Sequence, residues 1–143
     1  TSSVFPVATV VKVVGRATTS GRLDYLGTKT VSGGSTISVS EFTGYSNFYV
    51  GLSFPVEIIT NPIDVAAANG PRTGDIRGVC SAVLDLKDTR SVTVNTRPLV
   101  TTAAFTGKKE FRLNGFSRDP QITISQNDPL PLQVNGLIAE LIF

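Results

Sequence analysis

Histidine, methionine and tryptophan are absent from this chain, and it holds one cysteine. Each absence excludes a class of protein. Without histidine there is no imidazole for a hydrolytic triad of the usual kind, and metal sites built on histidine are excluded with it. A lone cysteine, Cys80, forms no internal disulfide and no multi-cysteine metal site, so the disulfide-scaffold class is out. Charge is scarce as well. Charged residues make up 17% of the chain, against about 25% in a typical soluble domain. The net charge of +2 is too small to imply attraction to nucleic acid or to a membrane. Lys108 and Lys109 are the only adjacent pair of cations. No apolar run approaches the ~18 residues of a membrane span, and the first residues, Thr-Ser-Ser-Val-Phe-Pro, lack the charged start and apolar run of a signal peptide. A chain without methionine is expected to be a processed product or a piece of something longer.

What is present is β-branched residues and glycine, with apolar residues at 41% and a mean hydropathy of +0.15. A length of 143 residues reads as one domain, residues 1–143. Gly51 is the one place where a boundary would be conceivable. No segment repeats at helical spacing. Strands are expected over residues 7–14, 36–40, 47–54 and 56–60, with Pro55 tolerated at a sheet edge. Residues 65–68 have the composition of a single helical turn, stopped by Asn69-Gly70-Pro71. Residues 77–87 place Cys80, Ala82, Leu84 and Leu86 on one face, which predicts a buried thiol. Asp88-Thr89 reads as a tight turn into a strand over 90–95, and another strand covers 99–104. Val92 and Val94, Phe111 and Leu113, and Ile122 and Ile124 each repeat at a period of two. The pattern is an all-β, antiparallel sandwich or barrel-like domain of about nine to ten short strands with little or no helix. A low-charge chain of this kind has much of its surface covered by partners, or is a neutral extracellular β-sandwich.

Chemistry is sparse. Asp64, Asp75, Asp85 and Asp88 lack the spacing of a calcium loop. Glu41, Glu57, Glu110 and Glu140 show no spacing that sets two carboxylates across one cleft. No catalytic residue, metal ligand or cofactor site is assigned, and the chain is not expected to be an enzyme. The longest irregular stretch, residues 64–74, within a loop taken as 64–78, holds Asn69, Gly70, Pro71, Arg72, Thr73 and Gly74. It lacks the spacing of a phosphate loop and is expected to be a partner contact, since long loops in compact domains are often functional. Lys108, Lys109, Arg112 and Arg118 gather around one hairpin. They are contacts to the phosphates of passing DNA, or solvated loop charges, or partners of Asp119 and Asp128. Tyr25, Phe42, Tyr45, Phe48 and Tyr49 serve core packing and turn anchoring, or a sugar-binding platform.

One resemblance adds to this reading. Tyr49-Val50-Gly51-Leu52-Ser53-Phe54 is followed by Glu57-Ile58-Ile59-Thr60-Asn61-Pro62-Ile63. A glycine-containing basic stretch, Gly70-Pro71-Arg72-Thr73-Gly74-Asp75-Ile76-Arg77, leads into the strand over 79–86. Thr106-Gly107 precedes an alternating strand. The chain closes on Ile122, Ile124 and Gln126, then Pro129-Leu130-Pro131-Leu132 and an apolar strand. In order and spacing these motifs resemble the C-terminal end of the tail nozzle proteins of short-tailed bacteriophages, the tail tubular B class. The likeness spans about residues 50–143, with a looser match over 23–34. Whole nozzle proteins are several times longer, and their basic stretch is commonly more basic than this one.

The resemblance implies a virion structural protein, the C-terminal portion of a tail nozzle or hub. It implies a homo-oligomeric ring, typically a hexamer, below the portal and adaptor, through which double-stranded DNA leaves without being read, and on which fibre or tip proteins dock. No small-molecule substrate and no cofactor belong to that role. Two other readings stay open: a carbohydrate-binding β-sandwich of a phage fibre or secreted protein, with a platform of Tyr25, Tyr45 and Tyr49, and a small capsid decoration protein. Prolines 129 and 131 donate no ladder hydrogen bonds, so their segment is expected at an edge or crossover, with Leu130 and Leu132 inward. The terminal strand is apolar on both faces, which places it between layers or at an edge covered by a neighbouring copy.

Overall fold

The computed structural model describes residues 5–34, 36–63, 75–142 and, for the backbone alone, 66–67 and 70–71. Among these residues there is no helix. Eleven strands follow in order: β1 (Val10–Ala17), β2 (Leu23–Thr30), β3 (Tyr45–Gly51), β4 (Val56–Ile59), β5 (Ala66–Ala67), β6 (Gly70–Pro71), β7 (Arg77–Val94), β8 (Arg97–Arg112), β9 (Phe116–Ser117), β10 (Thr123–Gln126) and β11 (Val134–Ile142). Every pairing is antiparallel. The fold is all-β, as composition and period predict. Its contacts group into two compact units. One comprises residues 1–54 and 127–130, the other residues 55–126 and 131–143.

The first unit is the sheet β2-β1-β3. Val11 and Val13 on β1 are fully buried, with Val14 and Val31 nearly so. Strict alternation would not bury three valines on two faces; here both faces of β1 are covered. Gly15 sits where the sheet has no room for a side chain. A Cβ there would meet Leu26 Cδ1 at 2.6 Å and Tyr45 Cδ1 at 2.7 Å. The Tyr45 hydroxyl donates to Asp24 Oδ2 at 3.3 Å, so the ring is tethered. Overpacking of this kind costs about 1–3 kcal/mol. Gly15→Ala is expected to lower the urea midpoint accordingly, and an unchanged midpoint would show that Leu26 and Tyr45 yield freely.

The second unit is built on the long ribbon β7–β8. Expected strands at 77–87 and 90–95 are one strand here, and so are 99–104 and the stretch after Phe105. Asp88-Thr89 is not a tight turn. Asp88 takes φ +48°, and the register slips between Leu86 and Thr89, where Gly107 takes φ +137° on the facing strand. The extra residue there is on β7, and three extra residues of β8 follow at once between Val100 and Phe105, opposite the step from Thr89 to Ser91. The Asp88 amide donates to Thr106 Oγ1 at 3.0 Å and holds the ribbon closed between the two irregularities. The actual turn is Asn95-Thr96, with Asn95 at φ +52° as a two-residue hairpin demands. Both halves of β7 reach one core: Ala82, Leu84 and Leu86 before the bend, Val92 and Val94 after it, with Phe111, Leu113, Ile122 and Ile124. Bending a long strand at a bulge is how one ribbon lines two sides of a core.

The proline segment lies along that bend. Lys87 N donates to Gln133 O and Arg90 N to Pro131 O, each at 3.0 Å. The bulged strand thus finds its acceptors in a segment that carries no strand of its own. Leu132 packs on the core of the second unit, while Leu130 belongs with the first. β11 pairs only with β7 among the described strands, so it is an edge. Two smaller expectations fail. Residues 36–40 form no strand beyond a bridge from Ser32 to Thr36. The helical turn over 65–68 is replaced at Ala66–Ala67 by β5, which pairs with β6.

Candidate interaction surface

The outer face of β11–β7–β8 gathers five of the ionisable groups that sequence singled out. Pairing across the three strands aligns Gly136, Asp85 and Lys108 in one row, Ile138, Val83 and Glu110 in the next, and Glu140, Ser81 and Arg112 in a third. Alternation puts Lys108, Glu110 and Arg112 on one face of β8 and turns Lys109 to the face of Phe111. Arg118 lies past β9, outside the β8 ladder. Of the four cations proposed together, the structure unites Lys108 and Arg112. Arg112 Nε lies 3.9 Å from Glu110 Oε1, with both side chains more than half exposed, an ion pair worth little in water. Ser81 Oγ donates to Glu140 Oε2 at 3.0 Å, which ties β11 to β7 on this face. The face therefore presents Asp85, Glu110 and Glu140 against Lys108 and Arg112. Ile138 and Ile142 stand exposed beside them.

Cys80 falls at a second bulge. Glu140 faces Ser81 and Leu141 faces Val79, so Cys80 has no partner on β11. The slip brings Val79 into the core and leaves the thiol half-buried rather than buried. Its Sγ donates to the Glu140 carbonyl at 3.3 Å. Desolvation, with Glu140's charge adding, pushes the thiol's pKa up. Less thiolate is present at a given pH, and the thiolate is the reactive form. Native labelling at pH 8 is expected to be several-fold slower than in denaturant; equal rates would refute this placement.

The predicted contact loop is mostly outside the described residues. Asn69, Arg72, Thr73 and Gly74 lie there; for Gly70 and Pro71 the backbone is defined, pairing with Ala67 and Ala66. Arg77, just beyond, is a residue that sequence reading passed over. It is 2% exposed, and its guanidinium donates to the carbonyls of Ile63 at 3.2 Å, Asp75 at 3.4 Å and Arg118 at 3.5 Å. Nothing in a run of mixed polar residues signals such a role, because its partners are backbone carbonyls, two of them 14 and 41 residues away.

In the first unit, Val14 is flanked by Tyr25 on β2 and Tyr49 on β3, so both rings share a face of the sheet. Tyr49 is about half exposed, and Lys12 Nζ lies 5.5 Å from the Tyr25 ring centre. An apolar cavity of about 320 Å³ opens beside them, lined by Val14, Leu23, Tyr49, Leu52 and Phe54 with Lys12 at its side. Tyr45 is elsewhere, under Gly15 and bound to Asp24. Among the described residues no three histidine, cysteine, aspartate or glutamate side chains converge as metal ligands would. Comparison with protein-family models and with curated proteins finds no match to this chain.

Proposed function

We propose that this chain is a virion structural protein, the C-terminal β portion of a phage tail nozzle or hub. Identical copies form a ring of about six around the path of the leaving DNA, and fibre or tip proteins dock on the ring. The reading rests on the motif order of residues 50–143 described above. The observation that carries it physically is the apolar surface. Thirteen large apolar side chains are exposed among the described residues, including Phe54 at 74%, Val100 at 70%, Phe116 at 66% and Ile138 at 59%. Single exposed apolar residues are ordinary, but so many on a chain with so little charge belong to a subunit covered by others. In this role the protein works mechanically, as a rigid wall. Lys108 and Arg112 stand among Asp85, Glu110 and Glu140, so a DNA backbone passing them meets nearly cancelling charge. That suits transit without retention or sequence reading.

Native mass measurement and negative-stain imaging test the proposal. Closed rings of one size are expected, and a monomer at tens of micromolar would overturn it. One observation favours a second reading, a carbohydrate-binding sandwich: Tyr25 and Tyr49 share a face beside the cavity. The lining there is mainly apolar and lacks Tyr45, so the platform is smaller than that reading asks. Titration with glycan fragments, followed by tyrosine fluorescence, separates the two.

A further inference from the structure

The sheet of the second unit has edges of opposite charge. On one flank of β7 runs β8, which carries Arg97, Lys108, Lys109 and Arg112 against Glu110 alone. On the other flank lie β11, whose single charged residue is Glu140, and β10–β4, whose single charged residue is Glu57. Among the described strands β8 and β11 each pair only with β7, so each offers an edge. The β8 edge bears the lysines that keep like edges apart, and β11 bears no such guard. Instead β11 exposes Ile138 and Ile142, and β8 exposes Val100.

We propose that β11 of one copy adds to the β8 edge of the next, head to tail, and that this is the ring contact. The inference rests on the ring reading and names the surface that makes it. Opposite edges on one subunit meet heterologously, and a heterologous contact that closes gives a ring, whereas β11 meeting β11 gives a two-fold dimer. Direction agrees. β8 and β11 are both antiparallel to β7, so they run the same way. Copies related by rotation about an axis along the strands bring β8 and the next β11 together in parallel. If the rows continue straight across the junction, the next copy's Glu140 falls beside Arg112 and its Ile138 beside Glu110. Main-chain hydrogen bonds then supply attachment and the charges set polarity.

The test is a charge swap between molecules. Glu140→Arg sets cation against cation at every junction, and Arg112→Glu sets carboxylate against carboxylate. Each variant alone is expected to lose the ring in native mass spectra. Mixing the two is expected to restore it with alternating subunits, since both new junctions then pair opposite charges. An effect confined within one copy is not rescued by mixing. Urea midpoints of each variant verify that both still fold. In a Cys80→Ser background, Ile138→Cys with Glu110→Cys is expected to give a covalent ladder of multimers on oxidation; within one copy the two positions are separated by Val83 on β7, too far for a disulfide. Rings that survive both single variants and give no ladder overturn this contact and leave the ring. Dimers alone, with β11 linked to β11, overturn it as well. A wild-type protein that is monomeric throughout overturns both this contact and the ring reading.

Discussion

Ending the chain at Gly136 is expected to leave the second unit unfolded or insoluble. β11 pairs with β7 from Val134 to Ile142, and Leu137, Ala139 and Leu141 pack on the core that holds Ala82 and Leu84. Those three side chains are half-buried, so each leucine contributes somewhat less than the roughly 1.5–3 kcal/mol of a fully buried one. Removing the strand also uncovers Leu84, which is completely buried, and strips the partner from half of β7. Together the losses reach about 4–6 kcal/mol, a large part of the about 5–15 kcal/mol that holds a domain. Urea unfolding of the truncated chain checks this. A midpoint equal to that of the intact chain would show that β11 lies on the sheet without supporting it, and an exposed edge would then have no rigid backing for a neighbour.

Arg77→Ala is expected to destabilise the second unit. The guanidinium gathers the carbonyl of nearby Asp75 with those of Ile63 and Arg118 from more distant segments, and the residue is 2% exposed. A buried acceptor left without a donor costs about 1–3 kcal/mol. Asp75 and Arg118 are exposed residues and Ile63 is half-buried, so the Ile63 acceptor dominates and the loss is about 1–3 kcal/mol, which at a urea slope of about 1–3 kcal/mol per molar moves the midpoint by about a molar. Arg77→Lys is expected to recover less than half of it, since one ammonium does not span acceptors that a planar fork reaches in three directions. A change within about 0.5 kcal/mol, the range of ordinary surface substitutions, would show that these bonds are replaced by water.

Some of this was legible from residues alone. Val92 with Val94, Phe111 with Leu113, and Ile122 with Ile124 alternate, and all six are buried in one core. That β11 is integral also followed from its pattern. Which of its two allowed places it takes did not, because a strand apolar on both faces fits an interior and a covered edge equally well. Cys80 shows where the period fails. Alternation through Ala82 and Leu84 predicts a buried thiol, but a bulge opposite Glu140 and Leu141 moves Val79 inward instead. Bulges depend on the partner strand, so local pattern does not reveal them. Asp88-Thr89 fails for the same reason: polar residues that read as a turn form a bend, because Thr106 and Gln133 supply the bonds a turn would have made internally.

The sequence by itself determined an all-β antiparallel chain with a lone thiol, no imidazole and little charge, because alternation and composition act residue by residue. Only the tertiary structure decided that β7 and β8 are single strands broken by bulges, that Arg77 holds the carbonyls of Ile63 and Arg118 as well as Asp75, and that Lys108 and Arg112 stand in rows with Asp85 and Glu140. Those outcomes depend on which strands become neighbours and in what register, and register is set by contacts between residues tens of positions apart.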